Sequence, residues 1–376
     1  MRPSWIEIDL DAIEHNVRSI AAVVAPAAVC AVVKADGYGH GDIPAAEAAL
    51  RGGAAHLAVA LVNEGIRLRE AGIDAPILVL SEPPDDLAEV VVKWRLTPTV
   101  YRLDFVESIA ATVTDASSDP VAVHVKVDTG MHRVGAAAEV AFELVTRIEQ
   151  DDRLILGGVF THFAVAEEDA AFTLIQIEQF DGFVDRLHTA GIYPPLVHAC
   201  NTAGALNFPE ARFDLVRVGL GCYGMYPHPD EEAIVDLQPA MRVVSHVSMT
   251  QALPAGERLS YGRRRPLPVA STVATVPIGY ADGIPRRLSD AGGEVLINGR
   301  RYPFAGNVTM DQVVIDCGSD DVSVGDEVVF LGPQGNDRIS AEEWADLLDT
   351  ISYEVVCGFS ARLPRRYPRR SDGPKV

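Results

Sequence analysis

The sequence predicts an α/β protein, an N-terminal (β/α)8 barrel followed by a mostly-β domain. Three observations carry this. Eight short apolar, β-branched-rich runs alternate with longer helical patterns up to about residue 236. No G-x-G-x-x-G turn follows the first run, although a doubly wound open sheet would more naturally show one. From residue 237 the texture changes to strand-like runs separated by turn signals.

The eight runs are VCAVVK (29–34), HLAVA (56–60), PILVLS (76–81), LTPTVY (96–101), VAVHVKVD (121–128), LILGGVFTHF (154–163), LVHAC (196–200) and FDLVRVG (213–219). Between them, stretches such as IPAAEAALRG, VNEGIRLREAG, EVAFELVTRIEQ and TLIQIEQFDGFVDRLHTAG space apolar residues three and four apart, and several end in glycine. Strands alternating with helices in this number match a closed parallel barrel. The second part offers MRVVSHVSMTQAL, VASTVATVPIG, GEVLINGRRYPF, QVVIDCG and DEVVFLG, interrupted by one helix candidate, AEEWADLLDT. Its length of about 140 residues can hold its own core. The expected division is 1–236 and 237–376, with the early strand WIEID a candidate to join the second sheet.

Composition narrows the function. The chain has 376 residues, 48% hydrophobic and 23% charged, as soluble globular proteins do. A formal net charge of −21 argues against nucleic-acid backbones and anionic membranes, but not against a small anion held by local donors. Cys30, Cys200, Cys222, Cys317 and Cys357 form no C-x-x-C pair, which suits reduced thiols and a cytoplasmic setting. The start, MRPSWIEIDLDAIEHNV, lacks a signal pattern, and the apolar run at 21–33 contains Pro26 and is too short to span a bilayer. The closing RRSDGPKV reads as a loose tail.

Polar residues gather at the strand ends, where barrel enzymes build their sites. In AVVKADGYGHG, Lys34 closes the first run. Lys126 and Asp128 close the fifth, followed by TGMHRVG with Arg133. His162 lies near the end of the sixth, Asn201 and Thr202 follow the seventh, and Arg217 and Gly219 end the eighth. Each has an ordinary structural role open to it. Lys34 could simply reach water, His162 could be a satisfied core histidine, and Arg217 could pair with Asp214. Thr202 could be a helix N-cap, and Lys126 could pair with Asp128. Convergence on one barrel face weakens all five. A lysine on an apolar strand end, beside hydroxyls, a glycine loop and an arginine, suits Schiff-base chemistry with pyridoxal 5'-phosphate.

Nine stretches then resemble the bacterial alanine racemase family, in order and over nearly the whole chain. They are AVVKADGYGHG, HVKVDTGMHRVG, GVFTHFA, HACNTAGALNFP, FDLVRVGLGCYGMYP, LSYGRRR, IGYADGIPRRL, TMDQ and ISYEVVCGFSARLPRRY. The resemblance implies a pyridoxal-phosphate enzyme of fold type III that interconverts L- and D-alanine and supplies D-alanine for peptidoglycan. It implies that Lys34 holds the cofactor and serves as one base, with Tyr261 as the other, reaching the cofactor of a partner subunit in a homodimer with composite sites. Tyr38, Thr202, Tyr353 and the Gly219 backbone resemble the phosphate ligands, with Asn201 beside them. Arg217 resembles the arginine at the pyridine nitrogen, and Arg133 the one beside the phenolic oxygen. Lys126 resembles a lysine often carbamylated, and His162 the histidine that orients the catalytic tyrosine. Met310 and Asp311 resemble the partner-subunit residues that receive the substrate carboxylate, and Tyr353 crowds the substrate side chain. Thr309 stands where cysteine is usual, and His132 where glycine is frequent.

The chemistry of inversion fits this set. Acid and base must stand on opposite faces of one planar carbanion, so two groups are needed. A tyrosine needs a lowered pKa to act as a base near neutrality, and His162 and Arg217 are the expected cationic neighbours. Arginine donates to a ring nitrogen but is a poor source of a proton. The rivals are a serine or broad-specificity racemase, a basic-amino-acid decarboxylase, a non-catalytic pyridoxal-phosphate carrier, and a metal-dependent hydrolase using Asp128, His162 and His198.

Overall fold

The computed structural model describes residues 2–114 and 119–368, so the RRSDGPKV tail lies outside the described residues. The chain divides into two compact units. One comprises Ala12–Gly37 and Gly41–Gln238; the other comprises the residues up to Asp11, Tyr38–His40 and those from Pro239 onward.

Strand β1 (Trp5–Ile8) belongs to the second unit and is taken with it below. The first unit is built on β2 (Ala28–Val32), β3 (His56–Val59), β4 (Ile77–Val79), β5 (Thr97–Val100), β6 (Val121–Lys126), β7 (Leu154–Phe160), β8 (Val197–His198) and β9 (Leu215–Val218). All pair in parallel, in the order β8-β7-β6-β5-β4-β3-β2-β9. The ring is joined by the Asp214 amide on the Val197 carbonyl at 3.0 Å and the Arg217 amide on the Cys200 carbonyl at 2.9 Å. These are the eight predicted runs, each near-continuously apolar because a barrel strand is covered on both faces. Every residue of β9 and four of five in β2 are buried. The intervening helices bury one stripe each; Ala138–Glu149 turns Ala141, Leu144, Val145 and Ile148 inward.

The second unit is mostly β. Its larger sheet runs β14 (Arg300–Pro303), β13 (Glu294–Ile297), β16 (Glu327–Gln334), β10 (Met241–His246), β1, β18 (Arg365–Arg366), with β17 (Asp337–Ile339) on β16. A three-stranded sheet runs β11 (Met249–Leu253), β12 (Ser271–Val276), β15 (Val313–Asp316). WIEID therefore pairs in this unit, antiparallel to β10 and parallel to β18, so the residues up to Asp11 fall outside the barrel. The predicted run MRVVSHVSMTQAL is two strands. It breaks at Val247 and Ser248, and its halves enter different sheets. The helix AEEWADLLDT appears as Ala341–Leu348, N-capped by Ser340 on the Glu343 amide, with Trp344 buried. A second short helix, Ser352–Cys357, spans too few residues for periodicity to reveal it.

Cys30, Cys200, Cys222 and Cys317 are buried free thiols, and Cys357 is exposed. Among the described residues no helix is long and apolar enough to cross a membrane.

Candidate active site

Strand β2 ends at Val32, and Lys34 opens an unusual turn. Ala35, Asp36, Gly37 and Tyr38 have φ of 53°, 54°, 59° and 53°, a turn of left-handed helix. L-residues disfavour this region by about 1–2 kcal/mol each, so local bonds must hold it. Glu64 supplies one, accepting the Ala35 amide at 2.8 Å while its other oxygen takes the Ala60 and Leu61 amides. The Gly37 amide bonds the Val33 carbonyl at 3.0 Å, and Asp36 accepts the Asp42 amide at 3.2 Å. Lys34 is thus half-buried at the C-terminal end of the barrel. Nothing in the local sequence signalled Glu64, because its role depends on a loop 29 residues away.

Arg217, on β9, is 3% exposed and has no carboxylate among its hydrogen-bond partners. Its Nη1 donates to His198 Nδ1 at 2.8 Å. Its Nη2 reaches the Thr161 carbonyl at 2.7 Å, the Ala199 carbonyl at 2.8 Å and His162 Nδ1 at 3.1 Å. Asp214, the suggested structural partner, instead accepts the Val197 amide. Because arginine only donates, Nδ1 of both histidines must accept, and both carry their proton on Nε2. His198 Nε2 then donates to His124 Nδ1 at 2.9 Å. Burial, followed by the Arg217 charge, holds His162 and His198 well below the ordinary histidine pKa. His162 is therefore neutral near pH 7, which corrects the expectation of a cationic neighbour. Burial also brings Arg217 down to about 10, still protonated at neutrality.

Lys126, at the end of β6, is 5% exposed, with its Nζ 5.3 Å from the centre of the Phe160 ring. Burial, then the charges of Arg217, Arg133 and Lys34, push it down to about 7. Asp128 opposes this shift, but its carboxylate serves its own loop: Oδ1 accepts the Gly130 and His132 amides, and Oδ2 meets His132 Nδ1 at 3.0 Å. Arg133, next along, is exposed. Lys34, Lys126, Arg133 and Arg217 thus concentrate cationic charge at one end of the barrel in a chain of net charge −21. Such a donor set fits an anionic ligand.

Thr202 is not the helix cap. Asn201 caps Thr202–Asn207 through its side chain on the Gly204 amide at 2.8 Å. Thr202 Oγ1 accepts the Gly219 and Gly221 amides at 3.2 and 3.4 Å, which leaves its own proton for a further acceptor. A Cβ on Gly221 would lie 2.8 Å from Ile20 Cδ1 and 2.9 Å from Thr202 Cγ2, so a side chain there would push on the Thr202 side chain. The remaining Thr202 hydroxyl proton fits a phosphate oxygen as acceptor, with the Gly219 amide holding that hydroxyl in place.

The second unit holds the remaining candidates. Gly39 lies against the Ser352–Cys357 helix, where a Cβ would come within 2.5 Å of the Val356 carbonyl oxygen. This close approach puts the Tyr38 and Tyr353 rings 6.0 Å apart. Tyr261 sits between Ser260 and Gly262, with φ of 58° and 79°. Asn307 anchors it by donating to the Tyr261 carbonyl at 2.7 Å, and the residue is 75% exposed. Met310 is also exposed, and Asp311 accepts from Arg362 at 2.6 Å.

The proposed hydrolase triad does not assemble as metal ligands. Arg217 occupies the Nδ1 lone pairs of His162 and His198, and Asp128 is engaged by His132. Among the described residues no group of three or more His, Cys, Asp or Glu could hold a metal ion.

Comparison with known proteins agrees with this architecture. The profile for "Alanine racemase, N-terminal domain" matches residues 8–227, and that for "Alanine racemase, C-terminal domain" matches 240–367. An alanine racemase of Symbiobacterium thermophilum is 42% identical over 369 residues, covering 98% of this chain and 97% of that one. The crystal structure of alanine racemase from Bacillus anthracis, with bound L-Ala-P, superposes with a TM-score of 0.90 at 36% identity, covering 98% of this chain and 96% of that one. A histidine racemase from Leuconostoc mesenteroides superposes at 0.87 with 26% identity, covering 98% of each chain. With both domain profiles matched in order and relatives aligned along almost the whole length, the chain belongs to the alanine racemase family.

Proposed function

We propose that this protein interconverts L- and D-alanine with pyridoxal 5'-phosphate, in a homodimer whose sites draw on both subunits. The observation that carries this reading is the buried Arg217, balanced by neutral histidines and carbonyls instead of a carboxylate, with the basic side chains of Lys34, Lys126 and Arg133 at the same end of the barrel. Pyridoxal phosphate would supply the electron sink for a carbanion at the alanine α-carbon. Lys34 holds it and exchanges a proton on one face of the substrate; Tyr261 of the partner subunit exchanges the proton on the other. Arg217 would donate to the ring nitrogen and keep its own proton, since its pKa of about 10 lies well above neutrality. Tyr38, Asn201, Thr202, Gly219 and Tyr353 cradle the phosphate. Arg133, Met310, Asp311 and Tyr353 receive the substrate, and His162 orients Tyr261 through its Nε2 proton. The barrel unit thus carries Lys34 and Arg217, and the β unit the second base. A cytoplasmic role supplying D-alanine for peptidoglycan follows.

The test is direct. Purified protein with pyridoxal phosphate should convert either pure enantiomer of alanine until equal amounts remain, followed by circular dichroism. Loss of rotation without the opposite enantiomer, or no change at all, would overturn the reading. A second reading, a racemase of broader substrate range, draws on the superposition with a histidine racemase. A panel of alanine, serine and histidine separates the two, with alanine expected to give the highest kcat/KM.

Lys126 gives a pH-dependent prediction. Carbamylation requires the neutral amine, and a pKa of about 7 makes that form the minority below neutrality and the majority above it. Protein equilibrated with ¹³C-bicarbonate should therefore show a carbamate signal that grows as pH rises through 7 and is absent from Lys126→Ala. A signal unchanged by that substitution would place the modification elsewhere.

A further inference from the structure

The turn Thr309–Gln312 carries Met310 and Asp311, and this chain closes it with a hydroxyl. Thr309 Oγ1 donates to the Gln312 carbonyl at 2.7 Å and accepts the Gln312 amide at 3.2 Å. The Thr309 amide reaches the same carbonyl at 3.1 Å. These bonds use the amides of Thr309 and Gln312 and leave those of Met310 and Asp311 out of the closure. A second set of bonds seats the turn. The Tyr280 and Ala281 amides bond the Thr309 and Met310 carbonyls at 2.9 and 3.1 Å. Gly279 permits this contact, since a Cβ there would fall 2.3 Å from the Thr309 oxygen and 2.5 Å from the Met310 oxygen.

The seat is fastened by residues distant in sequence. Asp282 is fully buried, and its Oδ2 accepts the Gly279 amide at 2.8 Å. Arg2 grips it with both terminal nitrogens, at 3.2 and 2.6 Å, a two-point pairing that fixes orientation as well as charge. Arg362 bridges Asp282, at 3.4 Å, to the Asp311 carboxylate, at 2.6 Å. The turn is therefore closed from within by Thr309 and held from outside by Arg2, Asp282 and Arg362, all in the second unit.

We infer that Thr309 is a positioning residue for substrate, with the Arg2–Asp282–Arg362 cluster as its outer clamp: together they hold the 309–312 turn rigid so that it receives the substrate carboxylate without first being ordered. This rests on the reading of Met310 and Asp311 given above. A loose turn would lose conformational freedom each time substrate binds, and a preformed one does not. The effect falls on binding, because the turn supplies no proton.

Thr309→Val keeps the shape and removes the hydroxyl; Thr309→Ser keeps the hydroxyl. For one neutral hydrogen bond, KM for both alanine enantiomers should rise about five-fold in the valine variant, with kcat within about two-fold. The inhibition constant for propionate, a carboxylate without the amino group, should rise by the same factor, and serine should restore both. Amide hydrogen exchange at Gln312, measured without substrate, should quicken in the valine variant. Faster exchange with unmoved KM and propionate inhibition would mean the hydroxyl holds the turn but the turn does not receive the carboxylate, which overturns the inference together with its underlying reading. Unchanged exchange with unchanged KM would overturn the positioning role of Thr309 alone. Arg362→Gln provides a second variant. It should raise KM in the same direction, and an unaltered KM there would remove the outer clamp from the account.

Discussion

Lys34→Ala is expected to abolish covalent attachment of pyridoxal phosphate and to lower racemisation by about 10³-fold or more, because it removes both the amine that holds the cofactor and the proton carrier on one face. The fold should persist. Lys34 is half-buried at the rim, and the turn behind it is held by backbone and Glu64 contacts that the substitution leaves alone. Thermal unfolding of the variant without cofactor should match that of the wild type without cofactor, which separates a lost function from a lost structure. Borohydride treatment followed by peptide mass spectrometry reads attachment directly. The wild type should carry the reduced cofactor on the peptide containing Lys34, and the variant should carry none. Near-normal turnover in the variant, or the cofactor found on Lys126, would assign the amine elsewhere. The second outcome is a real competitor, since Lys126 is the more buried lysine and burial brings its pKa down to about 7.

The barrel was legible because its signal is local and repeated. Each of β2 to β9 is a short apolar run, and each neighbouring helix carries its own stripe. Less of the second unit was legible, because its order is set by pairing across long separations. No local pattern says that Trp5–Ile8 lies between β10 and β18, or that β10 and β11 part company at Val247. In the site, residue type and position at a strand end were enough to single out Lys34, Lys126, His162 and Arg217. Their states were not legible. His162 looked like a cation, and its neutrality follows from burial beside an arginine that needs an acceptor. Thr202 offers a cap as well as a phosphate ligand on sequence alone; the cap is Asn201, and the Thr202 oxygen accepts the Gly219 and Gly221 amides while keeping its own proton to donate. The left-handed turn at Ala35–Tyr38 contradicts the local preference of three of its four residues, so only its distant partners could have disclosed it.

The remaining prediction concerns which chain supplies which base. Tyr261 is held at its backbone by Asn307 while three quarters of its surface is exposed in the single chain, an arrangement that suits a side chain offered to another subunit. If Tyr261 serves the partner's cofactor, Lys34→Ala and Tyr261→Phe homodimers should each be nearly inactive, and mixing them should restore activity. In a two-fold dimer the contacts are reciprocal, so a mixed dimer contains one site lacking both groups and one site with both intact. Random reassociation makes about half the dimers mixed, hence about a quarter of all sites complete. The two variants are dissociated together, allowed to reassociate, loaded with cofactor and assayed for racemisation. Recovery near a quarter of the wild-type rate supports the composite site. A mixed population proved by mass spectrometry, yet without recovered activity, would show that Lys34 and Tyr261 act within one chain or do not act together.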